Sequence, residues 1–266
     1  MLSEKDNLNF RVVFSLMFRK LEEMSIGDNF IGEINARRKR SFDKDKPNSF
    51  FYEVMVRDIH NAGLKATLVT SKLPFIRQAF LGFDIRKVSE FDDEALQNLM
   101  DNPNVIRHKE KLKACVENAK KMRELSEQYG SFGEFLNQYK QDNLIELRNR
   151  LTNDFIYMGN VVVLDYLKDV GIDIVKPDVH VARVFFRLGF VSSEKQTMSN
   201  INRIIEIAEQ IKQATSEKLA VIDAIFWMYG GGGDGHVKKA VCDKSEPLCD
   251  ECSLTNYCKY YSERPV

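Results

Sequence analysis

Apolar residues recur along this chain at intervals of three and four, the period of a helix packed on one face, and strand-like alternation is almost absent. Phe51, Met55, Ile59 and Ala62 form one such stripe, and Gly63 follows where a left-handed cap would end the helix. Leu112, Cys115, Val116, Ala119, Met122 and Leu125 form a second, closed by Gly130. Further helices are predicted over 161–170 before Gly171, 179–188 before Gly189, 201–211 and 219–229. Pro74 and Pro103 are read as helix starts or breaks. The fold class that follows is all-α.

Composition adds limits. The 266 residues, 44% of them apolar, suffice for one large domain or two smaller ones. No apolar run approaches the roughly 20 residues that cross a bilayer, and the opening residues are charged, so a cytoplasmic protein without a membrane partner is expected. Lys and Arg (39) balance Asp and Glu (39), so only a local concentration of cations could attract a polyanion. Ala36-Arg37-Arg38-Lys39-Arg40 is one such run, readable equally as a solvated loop or as part of a binding footprint. The run Gly230-Gly231-Gly232-Gly233-Asp234-Gly235 lacks the Gly-Lys-Ser/Thr ending of a phosphate loop and reads as a flexible connector.

Four of the five cysteines crowd into one short segment, as Cys242-x6-Cys249-x2-Cys252-x5-Cys258. Thiolates so close in sequence can wrap a tetrahedral zinc ion or an iron–sulfur cube. Cys115 lies on an apolar stripe and reads as a packed core thiol. Upstream, Asp178 immediately precedes an apolar helix, where an N-cap carboxylate accepts backbone N–H groups and is favoured by the helix dipole.

The cysteine spacing resembles the cluster loop of the endonuclease III and adenine glycosylase branch of the helix-hairpin-helix DNA glycosylases. That resemblance implies a [4Fe-4S] cluster on Cys242, Cys249, Cys252 and Cys258, with Lys238, Lys239, Lys244 and Lys259 as candidate contacts to the DNA backbone. Lys176-Pro177-Asp178-Val179-His180-Val181-Ala182-Arg183 resembles the segment that carries the family's catalytic aspartate, and Asp178 is the matching residue. Lys176 would touch DNA, while His180 and Arg183 are neighbours of the site. Phe155 to Val161 stands where the family has its DNA-binding hairpin, with Gly159 and Asn160 as its phosphate contacts. Tyr157 replaces a glycine of that pattern, and Val161 stands where endonuclease III-like enzymes carry a Schiff-base lysine.

Tyr52 to Leu64 and Asn104 to Leu112 resemble 3-methyladenine DNA glycosylase I. By that resemblance Glu53 would contact the extruded base. Because an enzyme of this kind must flip the base out and brace the gap, Tyr52, Phe50 and Phe51 are candidate pocket linings, and Arg107, Lys109, Lys72 and Arg77 are candidate phosphate contacts. Ala66 stands in place of that family's pocket tryptophan, and its zinc ligands have no counterpart.

The resemblances together imply a two-lobed helix-hairpin-helix glycosylase fold with a C-terminal iron–sulfur cluster loop. Residues 50–163 would form a central helical domain with the hairpin. Residues 1–49 and 164–266 would form the other lobe, with the cluster loop at 242–258 and a DNA cleft between the lobes. The expected function is hydrolytic removal of a flipped damaged base, an alkylated purine first, from double-stranded DNA by a monomeric enzyme. Two alternatives stand beside it: an endonuclease III-like bifunctional glycosylase/lyase acting on another lesion or mismatch, and a noncatalytic cluster protein that binds DNA structures.

Overall fold

The computed structural model describes residues 4–139, 144–232 and 235–263. Among them the regular structure is helical, and the sole β-type pairing is an isolated bridge between Ser25 and Val237. The chain divides into two compact units. One is the contiguous stretch Phe42–Ile172; the other joins Met1–Ser41 to Asp173–Val266.

The contiguous unit holds α3 (Asn48–Asn61), α4 (Ala66–Ala79), α5 (Ile85–Val88), α6 (Asp93–Asp101), α7 (Lys109–Tyr129), α8 (Phe132–Gln138), α9 (Leu144–Asp154) and α10 (Asn160–Asp169). Helix α7 buries Leu112, Cys115, Val116, Ala119, Met122 and Leu125, the stripe its sequence predicts, and ends at Gly130 with φ 89°. Ser131 then caps α8 by accepting the Glu134 N–H at 3.0 Å. Helix α3 buries Phe51, Met55 and Ile59, and burial of each such side chain contributes roughly 1.5–3 kcal/mol.

Pro74 departs from its reading as a helix start or break, because α4 runs through it. Its ring leaves the Thr70 carbonyl without an intrahelical donor. Both residues are exposed, so water can take that carbonyl.

The discontinuous unit holds α1 (Glu4–Glu23), α2 (Asn29–Lys39), α11 (Val179–Arg187), α12 (Met198–Thr215), α13 (Leu219–Gly231) and α14 (Lys259–Ser262). Helix α13 is buried along almost its whole length, from Leu219 to Gly230. Around it pack Phe10, Val13, Phe14, Met17 and Leu21 of α1, Ile204, Ile207, Ala208 and Ile211 of α12, and Val181, Val184 and Phe185 of α11. Phe185 and Phe226 set their ring centroids 4.5 Å apart.

The first three glycines of the run are packed instead of forming a flexible connector. Gly230 and Gly231 lie inside α13, and a Cβ on Gly230 would stand 2.7 Å from the His180 carbonyl oxygen. A Cβ on Gly232 would stand 2.2 Å from the Ala240 nitrogen, so the following turn also presses on backbone. Gly233 and Asp234 lie outside the described residues. The basic run 36–40 is likewise structured, ending α2 where cations complement the helix dipole. Within it Arg37 pairs with Glu33, and Arg38 with Glu217.

Candidate active site and cysteine pocket

Asp178 occupies the N-cap of α11. Its Oδ1 accepts two backbone N–H groups, from His180 at 2.9 Å and Val181 at 3.0 Å. Oδ2 takes part in neither bond, which leaves half of the carboxylate for other work. The approach to Asp178 is held from both sides. The Lys176 N–H donates to Oδ1 of buried Asp223 at 2.7 Å, and Gln196 Nε2 donates to the Pro177 carbonyl at 2.9 Å. Within the segment the Asp178 N–H closes onto the Lys176 carbonyl at 2.8 Å.

His180 sets its ring edge-on to Trp227, with centroids 5.8 Å apart. Arg183 is buried, and its guanidinium serves the protein interior. It donates to the carbonyls of Gly230 (2.6 Å) and Cys242 (3.2 Å) and lies 3.2 Å from His180 Nδ1. Among the described residues its partners are backbone oxygens and the His180 ring.

At the far end of α11, Arg187 reaches the cysteine segment. Its Nη1 donates to Cys242 Sγ at 3.3 Å and to the Asp243 carbonyl at 2.6 Å, and its Nη2 to the Lys244 carbonyl at 3.1 Å. The guanidinium carbon stands 4.5 Å from the centroid of the Tyr260 ring, a cation–π distance. Cys242, Cys249, Cys252 and Cys258 line one pocket with Arg187, Val241, Pro247 and Tyr260. Tyr229 places its hydroxyl 3.0 Å from Cys252 Sγ, and the Leu254 N–H approaches the same sulfur at 3.5 Å.

Burial pushes the thiols of Cys242 and Cys258 up, while Arg187 opposes the shift at Cys242. Among the described residues no three His, Cys, Asp or Glu side chains form a ready metal-holding group. The four cysteines share a pocket wall, and the donors aimed at their sulfurs are those that thiolate ligands of a cluster accept. By donor chemistry the four thiols suit an iron–sulfur group, although among the described residues they are not gathered into a ready site. Of the neighbouring lysines, Lys238, Lys239, Lys244 and Lys259 are all exposed.

In the contiguous unit the turn between α9 and α10 is braced from beneath. Buried Asn118 accepts the Ile156 N–H at 2.8 Å and donates to the Ile156 carbonyl at 2.9 Å. Tyr157 adopts φ 62°, the left-handed region that glycine enters freely. Exposed Gly159 is the N-cap of α10, where no side chain closes the helix end, and Asn160 and Val161 open the helix. Tyr157 meets His108 edge-on at 6.2 Å, which brings the turn beside the exposed Arg107 and Lys109 at the start of α7. Lys72 donates to the Pro103 carbonyl at 3.1 Å.

The base-pocket candidates separate. Glu53 is half-buried and paired with Arg77. Tyr52 is fully buried, with its hydroxyl on the Cys115 carbonyl at 2.8 Å and its ring edge-on to Phe83. Its whole side chain is committed to the helical core. Phe51 is fully buried as well.

Sequence reading did not single out Asp223, Gln196, Arg187, Tyr229 or Asn118. Asp223 had a signal, an acid inside the otherwise apolar run of α13. Gln196 had none.

Residues 43–160 match the family model described as methyladenine glycosylase. Over 98 residues, 37% of this chain and 51% of the relative, the sequence is 31% identical to the DNA-3-methyladenine glycosylase of Haemophilus influenzae. Over 85 residues, 32% of this chain and 31% of the relative, it is 31% identical to the endonuclease III of Sulfolobus acidocaldarius. The chain thus spans about half the length of the first of these relatives and under a third of the second. A solved 8-oxoguanine DNA glycosylase from Methanocaldococcus jannaschii is similar with a TM-score of 0.57 and 17% identity, covering 84% of this chain and 97% of that one. That last likeness is one of fold.

Proposed function

From a sequence that resembles the methyladenine glycosylases over residues 43–160, in the all-helical fold of the helix-hairpin-helix glycosylases, we propose that this protein is a DNA base-excision glycosylase. Its substrate is a flipped damaged base in double-stranded DNA, an alkylated purine first. Its reaction is hydrolysis of the N-glycosidic bond. The observation that carries the reading is Asp178, anchored through Oδ1 by two N–H groups with Oδ2 outside those bonds. Positive charge develops on the sugar as an N-glycosidic bond breaks, and a fixed carboxylate stabilises it and orients the attacking water.

Val161 offers no amine for a Schiff base, so water is the nucleophile and the enzyme lacks efficient lyase activity. The exposed end of α10 at Gly159 and Asn160, with Arg107 and Lys109 beside the turn, supplies N–H donors and cations for phosphates. Lys176 contributes a cation next to the catalytic carboxylate. Cys242, Cys249, Cys252 and Cys258 hold a [4Fe-4S] cluster, which when bound ties the C-terminal segment into a rigid loop. Arg187 and Tyr229 donate to its sulfur ligands.

The test is base release from methylated DNA and from duplexes with single uracil, hypoxanthine, oxidised-purine or mismatch sites. Wild type is compared with Asp178→Asn. Release by the wild type, slowed about a hundredfold or more in the variant with DNA binding retained, is the expected result. Equal release by both would remove Asp178 from the mechanism. The similarity to an endonuclease III favours a second reading, a bifunctional enzyme on another lesion, which strand cleavage and borohydride trapping would reveal. DNA binding without release of any base would leave a noncatalytic binder.

A further inference from the structure

Asp178 is one of several N-cap aspartates in this fold; Asp84 caps α5 through two N–H groups as Asp178 does, and Asp92 caps α6 through one. What distinguishes it is the backbone before it. Lys176 and Pro177 are each held by a side chain from a distant part of the sequence. Asp223, 3% exposed on α13, spends Oδ1 on the Lys176 N–H at 2.7 Å, and its Oδ2 lies 3.7 Å from Arg37 Nη1. Gln196, in the segment before α12, donates Nε2 to the Pro177 carbonyl at 2.9 Å. A buried carboxylate costs several kcal/mol unless it is paired and hydrogen-bonded. Asp223 is nevertheless kept buried here, with Oδ1 on a loop N–H and Oδ2 near Arg37, which also pairs with Glu33. Pro177 adds a fixed φ between the two anchors and removes the one N–H that could have let the loop bond elsewhere.

We propose that Asp223 and Gln196 are positioning residues for Asp178, forming a two-point clamp that fixes where the carboxylate faces the reacting sugar. The proposal rests on the glycosylase reading. Neither residue needs to touch DNA for this role. Asp223 holds the donor side of the segment and Gln196 the acceptor side, so losing either lets the N-cap tilt while α11 remains. Displacement by about 1 Å of a group that acts on the transition state can lower a rate by about a hundredfold, with little effect on ground-state binding.

The experiment measures single-turnover base release, DNA affinity and hydrogen exchange of the Lys176 amide in the full chain. Gln196→Ala changes an exposed residue and should fold normally. It is expected to slow release about tenfold or more with DNA affinity unchanged. Asp223→Ala should do the same and accelerate Lys176 amide exchange. Asp223→Asn keeps an acceptor oxygen and should restore most of both. Wild-type release rates in Gln196→Ala, or an unchanged Lys176 amide in a folded Asp223→Ala, would overturn the clamp. Failure of the wild type to release any base would remove the glycosylase reading instead, and the exchange measurement alone would then decide whether the clamp exists.

Discussion

Gly230→Ala sets two known effects against each other, and the structure decides between them. Gly230 is helical, so an alanine there should gain about 0.5–1 kcal/mol from restricted unfolded-chain freedom and better helix propensity. The added Cβ, however, would lie 2.7 Å from the His180 carbonyl oxygen and 2.9 Å from Val184 Cγ2. Both contacts are on α11, and the first is roughly 0.7 Å short of an ordinary contact. Backbone cannot turn aside as a side chain can, so α11 and α13 must separate, and overpacking of this kind costs about 1–3 kcal/mol. The net expectation is a loss of about 1–2 kcal/mol. The control is Gly32→Ala in α2, where a Cβ meets nothing within 4 Å and the propensity gain should appear alone. Urea denaturation of the three proteins, followed by helical circular dichroism, reads the difference. Because His180 lies in the first turn of α11, Gly230→Ala should also slow base release. The reasoning is refuted if Gly230→Ala unfolds at or above the wild-type midpoint while Gly32→Ala shows its gain.

Other expectations follow from single observations. Burial, reinforced by Asp169 and Asp165 and opposed by Arg57, pushes Asp58 up to about 8. A carboxyl raised above its unfolded value stabilises fully at low pH and loses that contribution as pH rises through about 8. The contiguous unit should therefore weaken progressively between about pH 4 and 8 in thermal melts and level off above that, and Asp58→Asn should abolish that slope. Tyr157→Gly should stabilise the α9–α10 turn by up to about 1 kcal/mol, since a left-handed tyrosine costs about 1–2 kcal/mol and part is repaid by the His108 contact. A lower denaturation midpoint would show that the contact outweighs the strain. Asn118→Ala should cost about 1–3 kcal/mol by stripping both polar groups of Ile156 of their partner, and should weaken DNA binding in a gel-shift titration. Purification without oxygen should yield a brown protein with about four irons per chain, lost in Cys252→Ser; stoichiometric zinc in a colourless wild type would refute the cluster.

The helices that end in glycine were the legible part of this fold. Gly63, Gly130, Gly171 and Gly189 all adopt positive φ just beyond α3, α7, α10 and α11. Side-chain spacing before each of them reports the buried face, so periodicity and stop signal agree. The Asp178 cap was equally readable, because an N-cap depends on residues adjacent in sequence. Legibility failed where the determinant is remote. Nothing local tells that Gly230 faces another helix's backbone, that Tyr157 holds a glycine's conformation because Asn118 braces its neighbour, or that Gln196 reaches Pro177. Tyr52 shows the same limit in reverse: its place beside Glu53 suggested a pocket, yet one step along a helix turns a side chain by about 100°, into the core.

The discontinuous unit also bears on how the chain is made. The apolar stripe of α1, from Phe10 to Leu21, has its partners in α12 and α13, which follow an insertion of about 130 residues. At roughly 5–20 residues per second, a ribosome needs on the order of ten seconds or more to supply them. The contiguous unit can complete its core within that interval while the leading helices wait uncovered. Nascent chains should therefore recruit hydrophobic-binding chaperones early and release them only when α13 has emerged, a sequence of events that ribosome profiling of chaperone-bound chains would display.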